Sequence, residues 1–269
     1  MWKNAGPYFC HKHIIMDFSL LQPFFDHVYV ITVESAIDRQ AKMIENLDGL
    51  KFTFFIGAYK KDFTIDELIE AKVYDEEKAK NLHRFGKPMN TAQISSAWTH
   101  RLVYEDMIEK KYQRVLILED DTVPNKEGVN LIQEMIEQLP ENWELWYFDY
   151  HKNLRRNFSS WFKIQTLHLQ KWLGKVRWDH KMINNLYARK FSAHLFKAGF
   201  HEFASAYAIT NAGAKKLINL QTPICYQADN LLANACTNQV LDAYVSFPKV
   251  FLNASQILDK RTREKYVEE

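Results

Sequence analysis

The chain has 269 residues, 47% of them hydrophobic and 25% charged, and a formal net charge of +2 at pH 7. This is the composition of an ordinary globular protein with enough residues for a large core, and the eight glycines and seven prolines exclude collagen-like repeats and long disordered linkers. No stretch approaches the roughly 18 uninterrupted apolar residues of a membrane-spanning helix.

The first half of the chain alternates predicted strands and helices, after an opening stretch (1–26) for which we predict no element. In order, the elements are a strand at 27–33, a helix at about 37–48, a strand at 52–56, a helix from Asn90 or Thr91 to Lys111, a strand at 115–118, a helix at 128–139 and a strand at 143–148 that ends before Asp149. Strands that alternate with helices predict an α/β fold, in which helices cover both faces of a largely parallel sheet.

The second half of the chain begins with a basic segment, residues 151–200, which contains eleven Lys and Arg but a single acid, Asp179, and is rich in aromatic residues. We predict that this segment forms a mostly helical insertion. After it we predict a strand at 206–210, a helix at 212–220 and a late edge strand at 244–248. The chain is therefore predicted to form one domain, with an α/β half at 27–150, the insertion, and a second half at 201–250.

Three adjacent acids, Glu119, Asp120 and Asp121, follow the predicted strand at 115–118. Ligands of open α/β sheets bind at the carboxyl ends of the strands, and clustered carboxylates repel one another less when they bind a hard divalent cation such as Mg²⁺ or Mn²⁺. The alternative is a solvated acidic turn in which an Asp or Thr122 caps the next helix, and the triplet alone favours neither. Because the chain has no P-loop motif and no glycine-rich dinucleotide fingerprint, the pattern fits a nucleotide-sugar transferase of the GT-A type.

Four blocks of sequence carry a resemblance to a known family. They are VYVITV (28–33) with Asp38–Arg39, AQISSAWTH (92–100), LEDDTVP (118–124), and AYAIT (206–210) with GAKKL (213–217), followed by Asp229 and the strand at 244–248. In this order they resemble glycosyltransferase family 25, which contains lipooligosaccharide and collagen galactosyltransferases, over about residues 27–250. The chain departs from the family pattern at Thr32, Gln93 and Ser95, where the family usually has Asn, Glu and Gly, and these departures bear on the choice of donor and on activity.

The resemblance implies a GT-A-like, Rossmann-type mixed sheet flanked by helices. It also implies an inverting transfer of a hexose, most often galactose, from a UDP-sugar to a saccharide such as lipooligosaccharide or a cell-surface glycan. Mn²⁺ or Mg²⁺ is the implied cofactor, because negative charge builds up on the departing diphosphate. Asp121 is the expected metal ligand, with Glu119 reaching the metal through water or holding the ribose.

The resemblance also implies a set of donor-binding residues. They are Thr32, Val33, Arg39, His100, Glu119 and Asp120. Two of them have ordinary structural alternatives, since His100 lies in the middle of a predicted helix and is compatible with a core residue, while Arg39 is compatible with an exposed helix residue. Thr32 is also one of the departures from the family pattern.

An inverting transfer needs one general base beside the acceptor hydroxyl. Asp229 is the leading candidate, because it is the only acid between Glu202 and Asp242 and the family pattern has an acid there. Asp149, at the end of the fourth predicted strand, is the second candidate. Both also have a structural alternative, since an Asp at the start of a helix or the end of a strand often caps backbone groups.

The basic segment predicts contact with an acceptor or a membrane. Lys and Arg are attracted to anionic lipid and aromatic side chains prefer the membrane interface, so we expect Arg155, Arg156 and Lys163 to contact a glycolipid acceptor or the cytoplasmic membrane face. An ordinary solvated helix face is the alternative. Three scattered cysteines, at positions 10, 225 and 236, and an N-terminus without the pattern of a secretory signal predict a cytoplasmic protein, peripheral on the inner membrane face.

A non-catalytic protein that binds nucleotide or an anionic polymer on the same fold is the competing hypothesis. Basic residues interleaved with aromatic ones suit phosphates and bases. The acid triplet would repel phosphates unless it held a metal, and no nucleic-acid-binding signature is present. We therefore expect a UDP-sugar donor and a saccharide or glycolipid acceptor as partners, and no nucleic acid.

Overall fold

A computed structural model describes residues 16–254, so Cys10 and the start of the chain, considered above for a secretory signal, lie outside the described residues. The helices are α1 (Leu21–Phe24), α2 (Ile37–Asn46), α3 (Ile65–Glu70), α4 (Glu76–Leu82), α5 (Thr91–Glu109), α6 (Lys126–Asn130), α7 (Ile132–Gln138), α8 (Phe158–Trp172), α9 (His180–Asn184), α10 (Asn211–Leu220) and α11 (Ala228–Thr237). The strands are β1 (His27–Thr32), β2 (Thr53–Ile56), β3 (Arg114–Glu119), β4 (Thr122–Pro124), β5 (Leu145–Tyr147), β6 (Arg189–Lys190), β7 (Leu195–Lys197), β8 (Ala206–Thr210), β9 (Ala243–Ser246) and β10 (Phe251–Asn253).

Eight of the strands form one mixed sheet in the order β2-β1-β3-β8-β5-β9-β7-β6, and β4 and β10 form a separate antiparallel pair. β1 is parallel to both β2 and β3, so the carboxyl ends of these three strands lie at one edge of the sheet, with Ile31 opposite Glu119. β8 runs antiparallel between β3 and β5 and therefore starts at that same edge. The predicted mixed α/β sheet flanked by helices is confirmed.

The two faces of the sheet bury two separate groups of apolar side chains, because alternate residues of a strand point to opposite faces. From β3, Val115 and Ile117 pack with α5, α10 and α11, whereas Leu116 and Leu118 pack with α2 and α7. All four side chains are fully buried, as expected for a continuously apolar central strand. This rigid strand ends at Glu119, so it holds the acid triplet in a defined position at the edge of the sheet.

Most elements of the first half lie within two residues of their predicted bounds. The exception is the predicted helix at 128–139, which consists of α6 and α7 with a break at Leu131. β4 and β10, which the sequence does not predict, pair antiparallel with Thr122 opposite Asn253. This small sheet brings residue 253 next to the acid triplet.

The predicted late edge strand is wrong in one respect, because β9 lies inside the sheet between β5 and β7. The reason is that the last part of the basic segment is not helical: it forms β6 and β7, which extend the sheet beyond β9. Leu195 and Phe196 of β7 are buried in this position. The first part of the segment is helical, as predicted, and forms α8 and α9.

Within the described part of the chain, the structure contains no helix that is both long and apolar enough to cross a membrane.

Candidate active site

An open cleft of about 520 Å³ lies at the carboxyl ends of β1, β2 and β3, and we call it the acidic cleft. Its walls are residues 31–33, Ser35 and Arg39 at and after the end of β1, residues 58–60 after β2, the first turns of α5, and the triplet 119–121 at the end of β3. Thr32 and Val33 are part of the first wall, so five of the six predicted donor-binding residues line this cleft. Its volume is in the range of small-molecule sites, and its location is the usual one in an α/β sheet.

Asp120 is held on both oxygens by its neighbours and is only 7% exposed. Thr32 donates from Oγ1 to Asp120 Oδ2 at 2.5 Å, and Arg39 Nη1 lies 2.8 Å from Oδ1. Burial raises the pKa of Asp120, while the hydrogen bond from Thr32 and the charge of Arg39 act in the opposite direction. Asp120 therefore positions Arg39, whose half-exposed guanidinium is available in the cleft.

Asp121 differs from Asp120 because one of its carboxylate oxygens has no partner. Asn253 of β10 donates to Asp121 Oδ2 at 2.9 Å, whereas Oδ1 is buried and makes no hydrogen bond. Burial raises the pKa of Asp121, and the neighbouring charge of Glu119 raises it further. A buried unpaired carboxylate oxygen is unfavourable unless a cation accompanies it, so this donor set fits a hard divalent ion.

Protein ligands for such an ion are few. Across residues 16–254, no group of three or more His, Cys, Asp or Glu side chains is arranged to hold a metal ion. Glu119 and Asp121 alone would leave most of an octahedral shell open, which is how Mg²⁺ commonly binds when water and substrate phosphates supply the other oxygens. The residues present fit a cation shared with a phosphate-bearing ligand and do not form a closed structural metal site.

Glu119 connects the cleft to a buried polar chain beneath it. Its Oε1 lies 3.5 Å from His100 Nε2, and His100 Nδ1 lies 2.7 Å from the hydroxyl of Tyr207. That hydroxyl is hydrogen-bonded at 2.6 Å to the hydroxyl of Tyr104. His100 is buried and is not among the residues that line the cleft, so its geometry suits the orientation of Glu119 and not direct contact with a ligand.

The three departures from the family pattern are all engaged in hydrogen bonds. Thr32 donates to Asp120, as described above, and Gln93 forms a capping box with Asn90 at the start of α5. Ser95 donates from Oγ to the backbone oxygen of Ala58 at 2.5 Å, which ties α5 to the loop after β2. Thr32 and Ser95 thus belong to the walls of the acidic cleft, and Gln93 lines the bridging cavity.

Asp229 lies in the first turn of α11, beside the acidic cleft, and the N-cap of that helix is Gln227. It lines a second cavity of about 310 Å³, the bridging cavity, which shares Glu119 and Ser96 with the acidic cleft. The two spaces are therefore adjacent. Asp229 is the acid of the second half of the chain that lines the bridging cavity, and a general base has to lie close to the donor site in this way.

Two features of Asp229 are typical of a functional carboxylate. Its pKa is raised, mainly by burial and further by the charges of Glu119 and Glu202, against backbone hydrogen bonds from Phe203 and Asn230 that lower it. Phe203, whose N–H lies 3.4 Å from Asp229 Oδ2, has a φ of 78°, a left-handed conformation that is uncommon outside glycine. Backbone strain of this kind concentrates at functional sites.

Asp149, the second candidate base, is fully buried and lines neither the acidic cleft nor the bridging cavity. Its Oδ1 lies 2.9 Å from Lys249 Nζ, and its Oδ2 accepts hydrogen bonds from Ser205 Oγ and from the Asn253 backbone. Both oxygens are thus engaged in holding chain segments together. Of the two candidates, only Asp229 lines the bridging cavity beside the acidic cleft.

The cations predicted to contact an acceptor or a membrane, Arg155, Arg156 and Lys163, are exposed and line neither space. They lie next to or within α8, which exposes a row of apolar side chains at helical spacing that we call the α8 stripe. Its members are Phe158 (80% exposed), Trp161, Phe162, Leu169, Trp172 (81% exposed) and Leu173. Ile164 and Leu167, on the opposite face of α8, are buried.

The sequence does not single out four of the residues that line these spaces. They are Tyr59 and Lys60 in the acidic cleft, and Phe203 and Gln227 in the bridging cavity. Tyr59 and Lys60 were accessible to sequence reasoning, because they directly follow β2 at the ligand-binding edge of the sheet. No local pattern marks Phe203 or Gln227.

Comparison with known proteins gives a family match and weaker structural likenesses. A family profile described as glycosyltransferase family 25 (LPS biosynthesis protein) matches residues 25–232. Two curated relatives, each named "Glycosyltransferase 25 family member", are 27% identical over 207 residues in Anopheles gambiae and 25% identical over 197 residues in Aedes aegypti. These matches cover 72% and 71% of this chain but 29% and 28% of the relatives, so the chain spans less than a third of their length. Apo mouse xyloside xylosyltransferase 1 aligns with a TM-score of 0.37 at 9% identity, over 81% of this chain and 71% of that one.

Proposed function

The chain belongs to glycosyltransferase family 25, and from this we propose that it transfers a hexose from a UDP-sugar to a saccharide acceptor, with inversion at the anomeric carbon. Galactose is the first donor sugar to test. The observation that carries the proposal is that the acidic cleft and the cavity lined by Asp229 share wall residues and are therefore adjacent. A site that binds a phosphate-bearing donor would thereby lie next to a carboxylate with a raised pKa.

On the donor side, each polar group has a distinct role. Asp121 and Glu119 would hold Mn²⁺ or Mg²⁺, and this cation, when bound, neutralises negative charge on the departing diphosphate. Arg39, held by Asp120, contributes a second positive charge to a diphosphate or ribose contact. His100 keeps Glu119 oriented from below.

On the acceptor side, Asp229 is the proposed general base. A single inverting displacement requires that the acceptor hydroxyl lose its proton as it attacks the sugar, and a carboxylate within hydrogen-bond reach can take that proton. Burial raises the pKa of Asp229 towards the range in which it accepts a proton effectively. The two backbone N–H groups that contact the carboxylate keep it oriented.

The test is a panel of UDP-sugars, assayed for sugar transfer and for release of UDP with and without Mn²⁺. In parallel, thermal unfolding is measured with UDP, with Mn²⁺ and with both. We expect UDP and Mn²⁺ together to raise the melting temperature by more than the sum of their separate effects. Stabilisation by oligonucleotide with a steep salt dependence, and none by UDP with Mn²⁺, would favour the anionic-polymer hypothesis instead.

We also propose that the α8 stripe docks the enzyme peripherally on an anionic, cytoplasmic membrane face, where a glycolipid acceptor would be presented. Large aromatic side chains at helical spacing, most of them half exposed or more, form a surface suited to the membrane interface. The surrounding segment carries eleven cations against one acid, a charge complementary to anionic lipid.

Co-sedimentation with phosphatidylcholine vesicles, with and without phosphatidylglycerol, tests this docking. Each juxtamembrane cation contributes on the order of 1 kcal/mol, so Arg155→Glu/Arg156→Glu/Lys163→Glu should weaken binding to anionic vesicles by about tenfold or more. Lys42→Glu/Lys51→Glu/Lys126→Glu makes the same charge change at exposed sites outside the segment and should bind more tightly than the first triple variant. Phe158→Ser/Trp172→Ser should weaken binding to both kinds of vesicle. Equal, weak binding by every variant and by the wild type would mean that the stripe is not a membrane surface.

A further inference from the structure

A third cavity, of about 280 Å³, lies on the other side of Asp229 from the acidic cleft, and we call it the Arg84 cavity. Gln227 and Asp229 line both this cavity and the bridging cavity, so these two spaces are adjacent. The walls of the Arg84 cavity come from α4 and the loop after it, from Trp178 and Met182 of the basic segment, and from α11. If the donor occupies the acidic cleft, the Arg84 cavity is the space that remains for an acceptor on the far side of the base.

The Arg84 guanidinium is stacked on aromatic rings but has no polar partner. Its Cζ lies 4.9 Å from the ring centre of Phe85 and 4.6 Å from that of Trp178. Its Nε is buried without a hydrogen bond, and the guanidinium forms no ion pair with any carboxylate of residues 16–254. A guanidinium that is fixed by stacking and has a free edge is suited to a bidentate contact with a carboxylate or a phosphate.

The loop that carries Arg84 is held in place by contacts from both sides. His83 Nδ1 accepts hydrogen bonds from the backbone N–H groups of Phe85 and Lys87 at 3.2 and 3.1 Å. The backbone N–H of Arg177 donates to the oxygen of Arg84 at 3.3 Å, and the side chain of Arg177 donates to Asn81 Oδ1 at 3.0 Å. The position of Arg84 is therefore built into the fold and does not depend on a bound ligand.

The acids that line the same cavity already have partners. Glu202 lies 2.8 Å from Lys152 Nζ, and the Asp229 carboxylate accepts two backbone hydrogen bonds. Neither acid is paired with Arg84. The charge of Glu202 acts on Arg84 from beyond ion-pair distance. Among the charged side chains of the cavity, Arg84 is therefore the one whose polar atoms make neither a hydrogen bond nor an ion pair, and an anionic group on the ligand would supply that partner.

We propose that the Arg84 cavity is an acceptor subsite for a saccharide that carries a carboxylate or a phosphate group. The anionic group would bind the Arg84 guanidinium, and the sugar would lie between Arg84 and Asp229. This inference rests on the proposed function, in which Asp229 receives the proton of the acceptor hydroxyl. It adds a substrate class that neither the acid triplet nor the family match specifies.

The experiment measures the binding of four probes to protein saturated with UDP and Mn²⁺, which keeps the acidic cleft occupied. Galactose 6-phosphate, galacturonate and galactose share one ring and differ in the group at C6, and inorganic phosphate is the fourth probe. Wild type is compared with Arg84→Gln, with Arg84→Lys, and with Arg189→Gln, a matched control that removes an exposed guanidinium of the basic segment outside the cavity. Melting temperature and UDP affinity are measured for each variant to check the fold and the donor site.

We expect at least one of the two charged sugars to bind wild type about tenfold or more tightly than galactose, the usual size of a charge-assisted contact. Arg84→Gln should abolish that preference, Arg84→Lys should keep part of it, and Arg189→Gln should leave it unchanged. The relative affinities of the phosphate and the uronate show which anion is preferred. UDP affinity should be the same in all variants.

Three results would overturn the inference: galactose binding as tightly as both charged sugars, a preference for charge that survives in Arg84→Gln, or inorganic phosphate binding as tightly as galactose 6-phosphate. The last result would indicate a simple anion site with no recognition of a sugar. Failure of UDP to bind with Mn²⁺ is a separate result, which would count against the proposed function and not against the charge of the Arg84 cavity.

Discussion

The acidic cleft and the Arg84 cavity lie on either side of Asp229 and leave opposite charges unpaired. In the acidic cleft the unpaired group is a carboxylate oxygen of Asp121, and in the Arg84 cavity it is the guanidinium of Arg84. A carboxylate cannot bind a phosphate directly, so the first space needs a cation as an intermediary, whereas the second can bind an anion without one. Under the proposed function, this difference would keep the donor and an anionic acceptor from competing for the same positive charge.

Asp229 lies between the acidic cleft and the Arg84 cavity, at the wall that the bridging and Arg84 cavities share. Its replacement should have the largest effect on turnover. Asp229→Asn removes the proton acceptor but keeps the shape, so we expect kcat to fall by about 10² to 10⁴ while UDP affinity in Mn²⁺ stays unchanged. Steady-state kinetics and calorimetric titration with UDP measure the two quantities.

Asp149→Asn serves as the contrast to that variant. It leaves the ammonium of Lys249 facing a neutral amide in a buried network, so we expect a loss of stability on the order of 3 kcal/mol and a smaller loss of kcat. If Asp229→Asn kept its turnover, and Asp149→Asn lost turnover at an unchanged melting temperature, the roles of the two residues would have to be exchanged.

A second comparison concerns the donor side alone, where two adjacent acids should behave differently. Asp121→Asn should abolish the gain in UDP affinity on addition of Mn²⁺, about 10- to 100-fold, the size of a charge-assisted contact. Asp120→Asn should weaken UDP binding to a similar extent with and without Mn²⁺, because it acts through the position of Arg39. UDP titrations with and without Mn²⁺ distinguish the two variants. If UDP affinity still depended on Mn²⁺ in Asp121→Asn as it does in the wild type, Asp121 would not be the metal ligand.

A feature of these two spaces can be predicted from the sequence when the residues that form it are close together in the chain. β3 and the triplet after it were predictable, because a continuous apolar run followed by acids defines both the strand and the chemistry at its end. The position of the Asp121 carboxylate depends on a hydrogen bond from Asn253 to its other oxygen, Oδ2. Asn253 is 132 residues away in the chain and belongs to a strand pair that no local pattern predicts.

The Arg84 cavity shows the same limit more strongly. The segment 60–88 carries charges without a clear period, and nothing in it marks Arg84 as different from its neighbours. Arg84 stacks on Trp178, which is far away in the chain. Trp178 belongs to the basic segment, whose composition predicts an exposed surface, so the sequence does not indicate that this residue forms a cavity wall. Sequence patterns identify elements and strand ends, whereas a cavity whose walls come from four segments is defined only by their packing.

The smallest expected effect is a shift in the pH profile of kcat/KM. It tests whether charges in both spaces raise the pKa of Asp229. A general base must be deprotonated, and burial, followed by the charges of Glu119 and Glu202, raises the pKa of Asp229. The acid limb of the pH profile of kcat/KM should therefore lie above the ordinary range of an aspartate. A cation bound at Glu119 would cancel the contribution from the acidic cleft, so that Glu202 would remain as the neighbouring charge that raises the pKa.

Glu202→Gln removes that charge from the Arg84 side, so the pKa of Asp229 should fall and the acid limb should move to lower pH. The change also releases Lys152 from its ion pair, and a free cation there would shift the limb in the same direction. Glu70→Gln, which neutralises an exposed acid at the end of α3, should leave the profile where it is. A limb that stayed in place, or moved to higher pH, in Glu202→Gln would mean that the Arg84 cavity does not influence the base, and that Asp229 responds to burial and to the acidic cleft alone.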